Sequence, residues 1–347
     1  MEVNRVEEKV EQPVNDQSLF QKVRKKFKEF SPSMRKAFFS GSALILLIIG
    51  FSVANPLFVS SGNLINILQQ VVTYAILGYG LTFTLVAGGT DLSAGASMAL
   101  SGIMVAYMLI SGIPLWIAII LALVFGVLMG ILNGFNIEVL GVVPFIATLG
   151  TQWVFRGLGN VLVDGKPIYT NTIPDAAVQE TFYQIGGGRL PGGIPYSVLI
   201  ALTYGLVLAF ILSKTRIGRQ MYAVGSNVEA AKLSGINTVR TRMFAYSVSG
   251  VSAAIAGIIT TSRISSAQPM AGQGLELEAI AASVIGGVSN SGGQGTIINT
   301  IIGALIMGVL RNGLNLMGVS SFIQQIIIGI ILVGVIALDE YNNKKSK

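Results

Sequence analysis

The sequence lacks two residue types on which much protein chemistry depends, because it contains no cysteine and no histidine in 347 residues. Without cysteine there is no disulfide, no thiolate nucleophile and no thiolate ligand for an iron–sulfur cluster. Without histidine, the commonest metal ligand and proton shuttle are missing. An enzyme would have to rely on scattered carboxylates such as Asp91, Glu138, Glu276 and Glu278, which lack the spacing of an acid–base pair. We therefore expect neither a metal site nor a catalytic residue.

Charged residues are also scarce. They make up 11% of the chain, whereas 52% is hydrophobic, the mean hydropathy is +0.69 and glycine occurs 42 times. This composition predicts an all-α, polytopic membrane protein in contact with lipid, in which glycines let helices pack closely. The net charge of +7 does not predict nucleic-acid binding, because Lys and Arg in membrane proteins mostly mark the cytoplasmic side.

About ten apolar segments qualify as candidate membrane spans. They cover residues 38–58, 63–88, 93–111, 114–135, 144–163, 195–213, 242–262, 276–290, 296–316 and 320–338. The eighth is short and interrupted by glycines, which is typical of a tilted, broken or re-entrant segment. The count of ten is therefore approximate.

Basic residues orient these spans. They precede the first span, fill the loop after the sixth and follow the tenth, so an even count places all three regions on the cytoplasmic side. This predicts a cytoplasmic tail at 1–37, a transmembrane domain at 38–338, an external loop at 165–194 and a cytoplasmic C-terminal tail at 339–347. The first tail reads as disordered and then as a basic amphipathic segment lying on the inner leaflet, or as a plain basic tail.

The cytoplasmic loop at 213–242 is the longest polar interruption on that side. Asn227 as N-cap, Glu229 in the first turn and Gly235 as the stop predict one short helix in its centre. A short helix held between two spans suits the docking of a soluble partner, although an ordinary basic loop has similar composition. The sequence has no Gly-x-x-x-x-Gly-Lys-Ser/Thr motif, so any ATP energy must come from another subunit.

Several polar residues fall in or beside the spans. In the turn after the second span, Asp91 or Ser93 is expected to cap the next helix or to act as a gate. A similar Gly-Gly stretch at 284–303 hints at an internal duplication. A neutral hydrogen-bonding path for a polyhydroxylated solute, or bonds between helices, is expected of Gln69, Gln70, Thr148, Gln152 and Asn315.

Charged residues within the apolar region need partners. Arg156 would be costly in a span unless it is paired or lies near the outer surface. Glu276 and Glu278 open the eighth span, where carboxylates favour a helix N-terminus. We expect them to be solvated caps or contacts for an external binding protein.

Five motifs in a fixed order carry a family resemblance. They are Gly89-Thr-Asp-Leu-Ser-Ala-Gly, Pro144-Phe-Ile-Ala-Thr-Leu-Gly, Asp164-Gly-Lys-Pro-Ile, Gly225-Ser-Asn-Val-Glu-Ala-Ala-Lys-Leu-Ser-Gly-Ile and Leu275-Glu-Leu-Glu-Ala-Ile-Ala-Ala-Ser-Val-Ile-Gly-Gly. Together they resemble the permease subunit of bacterial ribose-type sugar ABC importers. The resemblance covers roughly residues 40–338 and leaves the N-terminal tail unassigned.

The resemblance implies an ABC importer permease fold in the bacterial inner membrane. It implies a homodimer of permease subunits, two ATPase domains that hold ATP and Mg, and an extracytoplasmic sugar-binding protein. This chain itself would need no cofactor. The ATPase-coupling residues carried over from the family are Gly225, Asn227, Glu229, Ala230, Ala231 and Gly235.

The expected function is alternating-access import of a ribose-like monosaccharide. A permease for a nucleoside or a branched-chain amino acid is the nearest alternative. A carboxylate substrate would favour a cationic or helix N-terminal site in mid-membrane, for which the sequence offers few candidates beyond Arg156. An ion-coupled secondary carrier is a third possibility, but it would leave the docking loop unexplained.

Overall fold

The computed structural model describes residues 32–345. The predictions for residues 1–18 and for most of the amphipathic segment at 19–36 fall outside that range. The helices are α1 (Pro32–Ala54), α2 (Ser61–Val86), α3 (Ala94–Ile110), α4 (Leu115–Glu138), α5 (Pro144–Val163), α6 (Ala176–Gly187), α7 (Tyr196–Lys214), α8 (Arg216–Ser226), α9 (Val228–Leu233), α10 (Thr238–Ile264), α11 (Leu275–Gly286), α12 (Ile297–Leu316) and α13 (Ser321–Lys345). Two short strands, β1 (Ile168–Tyr169) and β2 (Ser266–Ala267), pair antiparallel.

The described chain is a multi-pass membrane protein, but the count of ten spans is not confirmed. Six segments are long and apolar enough to cross a bilayer: α2, α4, α7, α10, α12 and residues Ser321–Tyr341 of α13. The segments Phe38–Ala54 and Ala94–Ile110 are apolar but shorter. With 12 residues, α11 is about 18 Å long against a hydrocarbon core of about 30 Å.

Helices α2 and α10 form the centre of the bundle. They run antiparallel, since Gly80 packs on Ser249 while the Arg263 side chain reaches the Gln69 backbone. Residues 71–86 of α2 are all buried, as expected of a helix surrounded by other helices. Glycines bring α4 close to α10: a Cβ on Gly130 would lie 2.2 Å from the Tyr246 carbonyl oxygen.

Two non-helical stretches lead into α3 and α11 from opposite ends of this centre. The first linking segment (residues 87–93) follows the end of α2, and the second linking segment (residues 265–274) follows the end of α10. The first reaches inward far enough for Asp91 to bond Ser249, roughly 16 Å along α10 from its first residue. The segments therefore enter the bundle rather than turning at its surface.

The N-termini of α3 and α11 meet inside the bundle. A Cβ on Gly95 would lie 2.4 Å from the Gly272 carbonyl oxygen and 2.2 Å from Glu276 Oε2. Only glycine at position 95 allows this approach. Two short helices with facing N-termini are the arrangement by which some transporters interrupt their spans in mid-membrane.

Candidate functional site

The loop at 213–242 folds as two short helices followed by the start of α10. Asn227 Oδ1 accepts the Ala230 N–H at 2.9 Å, and Gly235 ends the helix with φ +78°. The predicted helix is therefore present as α9. Glu229 pairs with Lys232 at 3.2 Å, but both side chains are exposed, so the pair adds little stability.

The side chains of α9 and its caps differ in exposure. Asn227, Glu229, Ala230 and Gly235 are exposed, whereas Ala231 is 3% exposed and anchors the helix. Leu233 at the end of α9 is 91% exposed, and the sequence analysis did not single it out. A single exposed leucine is ordinary on a surface. On a capped helix that projects between two spans, it also offers an apolar contact for a partner.

The base of this loop packs backbone against backbone. A Cβ on Gly225 would lie 1.8 Å from the Val86 carbonyl oxygen and 2.7 Å from the Gly293 nitrogen. The Gly293 N–H donates to the same Val86 oxygen at 3.0 Å. Glycine at position 225 therefore lets α8 touch both the end of α2 and the loop after α11.

Side chains add to this junction. Tyr222 Oη donates to the Gly295 carbonyl oxygen at 2.6 Å, and burial raises the pKa of Tyr222, which keeps the phenol protonated as a donor. Arg242 Nε donates to the Ala87 carbonyl oxygen at 3.0 Å and Arg242 Nη1 pairs with Glu138 at 3.0 Å. The loop is thus tied to the first linking segment and to the loop at 287–296.

Asp91 organises the first linking segment. Its side chain is 1% exposed. One carboxylate oxygen accepts from the Ser93 N–H at 2.9 Å, from Ser93 Oγ at 2.7 Å and from Asn133 Nδ2 at 3.4 Å, and the other accepts from Ser249 Oγ at 2.7 Å. Ser93 occupies the N-cap position of α3 but makes no side-chain capping bond. Asp91 therefore holds the start of α3, and donors surround both of its oxygens.

One face of α5 supports both linking segments. Thr148, Gln152 and Arg156 recur every four residues, which places them on the same side of the helix. Thr148 Oγ1 accepts the Leu92 N–H at 3.1 Å, and Gln152 Nε2 donates to Glu276 Oε1 at 3.0 Å. Thr148 and Gln152, both expected on a solute path, thus have partners within the bundle.

Arg156 completes this face. Its Nη1 donates to the carbonyl oxygens of Pro269 and Ala271, each at 2.7 Å. These carbonyls belong to the non-helical second linking segment, whose backbone groups need partners inside a membrane. The cost foreseen for a buried Arg156 is therefore offset by bonds to backbone oxygens as well as by the nearby Glu276 charge.

The expectation that Glu276 and Glu278 are solvated caps is wrong. Their exposed fractions are 5% and 9%, because α11 begins inside the bundle. Glu278 accepts from Arg311 Nη1 at 2.6 and 2.7 Å, and Arg311 also donates to Tyr74 Oη at 3.0 Å. Carboxylates placed in this way have little surface left for contact with another protein.

Two adjoining cavities of about 300 Å³ each lie beside the N-terminal half of α2 and share Gln70 and Arg263. The first of them, called the upper cavity below, is lined mainly by amide side chains: Asn63, Asn66, Gln69, Gln70, Asn312 and Asn315. The lower cavity is lined by Gln70, Thr73, Tyr74, Met98, Thr260 and Arg263 and by the end of the second linking segment. Gln69, Gln70 and Asn315 are thus brought together, apart from Thr148 and Gln152.

Comparison with known proteins places this architecture in a family. Residues 63–336 match the family described as branched-chain amino acid transport system / permease component. The chain belongs to this permease family. The match covers the bundle from α2 to α13, including both linking segments and the loop at 213–242.

Curated relatives of the permease include sugar importers. It is 43% identical to the ribose import permease protein of Haemophilus influenzae, over 71% of this chain and 75% of that protein. It is 44% identical to the ribose import permease protein of Bacillus subtilis, over 72% and 75%. It is 35% identical to the D-allose transport system permease protein of Escherichia coli, over 71% and 73%. These matches confirm the resemblance to the permease subunits of ribose-type ABC importers, which are transport components and not themselves ATPases.

Arg263 is the residue in the permease that sequence reasoning missed most clearly. It falls in the last turn of α10, where a basic residue normally suits the helix dipole and attracts no notice. Its placement between two cavities depends on the packing of α10 against α2. No local signal in the sequence reveals that contact.

Proposed function

We propose that this chain is the transmembrane permease subunit of an ABC importer that moves a ribose-like monosaccharide across the bacterial cytoplasmic membrane. ATP is hydrolysed on a separate subunit, and the permease alternates between outward and inward access. The identity to ribose and allose permeases supports the sugar assignment. The absence of a P-loop in the sequence supports a separate ATPase.

The backbone contact at Gly225 is the observation that carries the proposal. Force applied to α9 passes through α8 to Val86 and Gly293, because glycine backbones leave no flexible side chain between them. Val86 leads into the first linking segment, and Gly293 lies in the loop that follows α11. Docking at one small helix therefore acts on both interrupted parts of the bundle.

The proposal includes a set of partners and an orientation. The ATPase, with its ATP and Mg, docks on the cytoplasmic loop at 213–242, and the coupling contacts come from Gly225, Asn227, Glu229, Ala230, Ala231 and Gly235. A second copy of the permease completes the membrane unit, and an extracytoplasmic sugar-binding protein delivers the solute. Both tails, 1–37 and 339–347, are cytoplasmic, and the loop at 165–194 is external. No cofactor, metal or nucleic acid is required of this chain.

The chemistry of the upper cavity favours a sugar over an amino acid. Amide side chains offer both donors and acceptors, which complement hydroxyl groups that also donate and accept. A carboxylate uses donors only and would leave the buried Gln70 Oε1 unmatched. A branched-chain amino acid is therefore the weaker alternative, and the identity to ribose and allose permeases favours a sugar over a nucleoside or an ion-coupled mechanism.

Co-expression with the ATPase tests the docking surface. We expect Leu233→Glu to abolish co-purification of the ATPase, because a charge replaces the most exposed apolar contact on α9. Ile194→Glu, the same kind of change at a 46% exposed residue of the loop at 165–194, should leave co-purification unchanged. Normal ATPase binding by Leu233→Glu, together with wild-type ribose uptake in proteoliposomes, would sink the proposal.

A further inference from the structure

We infer that the paired cavities around Gln70 and Arg263 form a solute subsite within the single permease subunit, built for a polyhydroxylated solute. This inference rests on the proposed function for the identity of the solute. It goes further by assigning selectivity to named residues of the permease. This restricts the proposed solute path to the N-terminal half of α2 and the C-terminal ends of α10 and α12.

The first argument is an uncompensated charge. Arg263 Nη1 donates to the Gln69 carbonyl oxygen at 3.3 Å, which is a weak contact. Within residues 32–345, no carboxylate lies within 4.0 Å of its guanidinium, whereas Arg311 pairs with Glu278. Arg263 borders both cavities. A partly buried guanidinium in that position needs acceptors from whatever fills the space.

The second argument is a pair of unmatched polar atoms. Gln70 Oε1 and Thr260 Oγ1 are buried and have no hydrogen-bond partner in the described protein. Both residues line the lower cavity beside Arg263. One wall thus presents an acceptor, a hydroxyl and a cationic donor, a combination that matches a solute bearing several hydroxyl groups. Met98 on α3 supplies an apolar surface for the carbon face of such a solute.

The third argument is size and position. Small-molecule pockets typically span about 300–1,000 Å³, so a cavity of about 300 Å³ suits a compact solute rather than an oligosaccharide. Tyr74 lines the lower cavity, and its hydroxyl accepts from Arg311. The Tyr74–Arg311–Glu278 contact therefore adjoins the subsite.

The test uses the complete importer with its ATPase and binding protein in proteoliposomes. Labelled ribose uptake and ATP hydrolysis are measured together for Gln70→Leu, Arg263→Met and Arg263→Lys. We expect Gln70→Leu and Arg263→Met to lower ribose uptake per ATP about tenfold, as for the loss of one hydrogen bond to a charged group. Arg263→Lys should fall between them and the wild type. Gln325→Leu, the same change on an exposed face of α13, is the control and should not alter the ratio.

The ratio separates the subsite from misfolding and from the proposed function. A misfolded variant loses binding-protein-stimulated ATP hydrolysis as well, whereas a subsite variant keeps it. Unchanged ribose uptake per ATP in both Gln70→Leu and Arg263→Met overturns the subsite. Wild-type protein that imports leucine but not ribose overturns the sugar assignment. In that case, a tenfold lower leucine uptake per ATP in Arg263→Met keeps the subsite and changes its solute.

Discussion

The two linking segments differ in how completely the buried carboxylate beside each of them is hydrogen-bonded. Each carries a non-helical backbone into the bundle and starts a short helix beside a buried carboxylate. Around Asp91 both oxygens are hydrogen-bonded to neighbouring donors. Around Glu276, by contrast, neither Glu276 Oε2 nor the nearby Arg156 Nη2 has a hydrogen-bond partner among residues 32–345.

This difference indicates which segment is fixed and which can rearrange. Moving the first linking segment would break a satisfied network, and each unpaired buried group costs about 1–3 kcal/mol. The second linking segment contains Ser266 Oγ, which is buried and has no hydrogen-bond partner among the described residues, and it borders the lower cavity through Gln268, Ala271 and Gly272. We therefore expect the first segment to serve as a fixed joint and the second to respond to solute.

The largest effect is expected from Asp91→Ala. The substitution leaves three donors without their acceptor, namely the Ser93 N–H, the Ser93 hydroxyl and the Ser249 hydroxyl, so the free energy of unfolding should fall by at least about 3 kcal/mol. Thermal and denaturant unfolding of the detergent-solubilised protein measures it. Asp175→Ala, which removes an exposed N-cap of α6, should cost only about 1 kcal/mol. Equal losses in the two variants would contradict the fixed joint.

The next effect concerns the point where the loop at 213–242 meets the end of α2 and the loop at 287–296. Gly225→Ala forces a methyl group against the Val86 carbonyl oxygen, so α8 must move away. We expect binding-protein-stimulated ATP hydrolysis by the assembled importer to fall at least tenfold. Gly62→Ala, at a position with no neighbouring atom within 4 Å, should behave as wild type. Intact stimulation in Gly225→Ala would show that force takes another route.

A smaller effect is expected from Arg156→Met, which removes the donor from the Pro269 and Ala271 carbonyls. Because the chain has no native cysteine, a single cysteine introduced by Ala271→Cys reports on the second linking segment alone. Labelling of that cysteine by a membrane-impermeant maleimide should rise several-fold in Arg156→Met. Thr90→Cys in the first linking segment is the matched probe, and its labelling should not change.

The smallest effect is expected from Glu276→Gln. One oxygen of Glu276 has no hydrogen-bond partner, so replacing the carboxylate by an amide should change the free energy of unfolding by less than about 1 kcal/mol. Asp91→Asn should cost more, because its amide group would face the Ser249 hydroxyl where an acceptor now stands. Denaturant titrations of the two variants compare the segments directly, and a larger loss for Glu276→Gln would reverse the assignment.

Local chemistry explains what was predictable. The helix from Asn227 to Gly235 follows from a capping side chain and a glycine stop, which act within a few residues. The starts of α3 and α5 also lie within one residue of the predicted segments. The burial of Glu276 depends instead on Gly95 and Gln152, which are distant in the sequence. Because hydropathy measures how apolar a segment is and not how deep it starts, the sequence predicts a short, interrupted span at 276–290 where the structure has the half-length helix α11.

The four-residue spacing of Thr148, Gln152 and Arg156 on α5 limits where the sequence can accept an insertion. A helix turns about 100° per residue. One residue inserted between Thr148 and Arg156 would rotate the Arg156 side chain away from Pro269 while Thr148 stayed beside Leu92. The two linking segments would then no longer both be held by the same face of α5. We therefore expect insertions to be tolerated in the loop at 165–194 but not between Thr148 and Arg156, because this stretch of α5 fixes the relative positions of the contacts to the two linking segments.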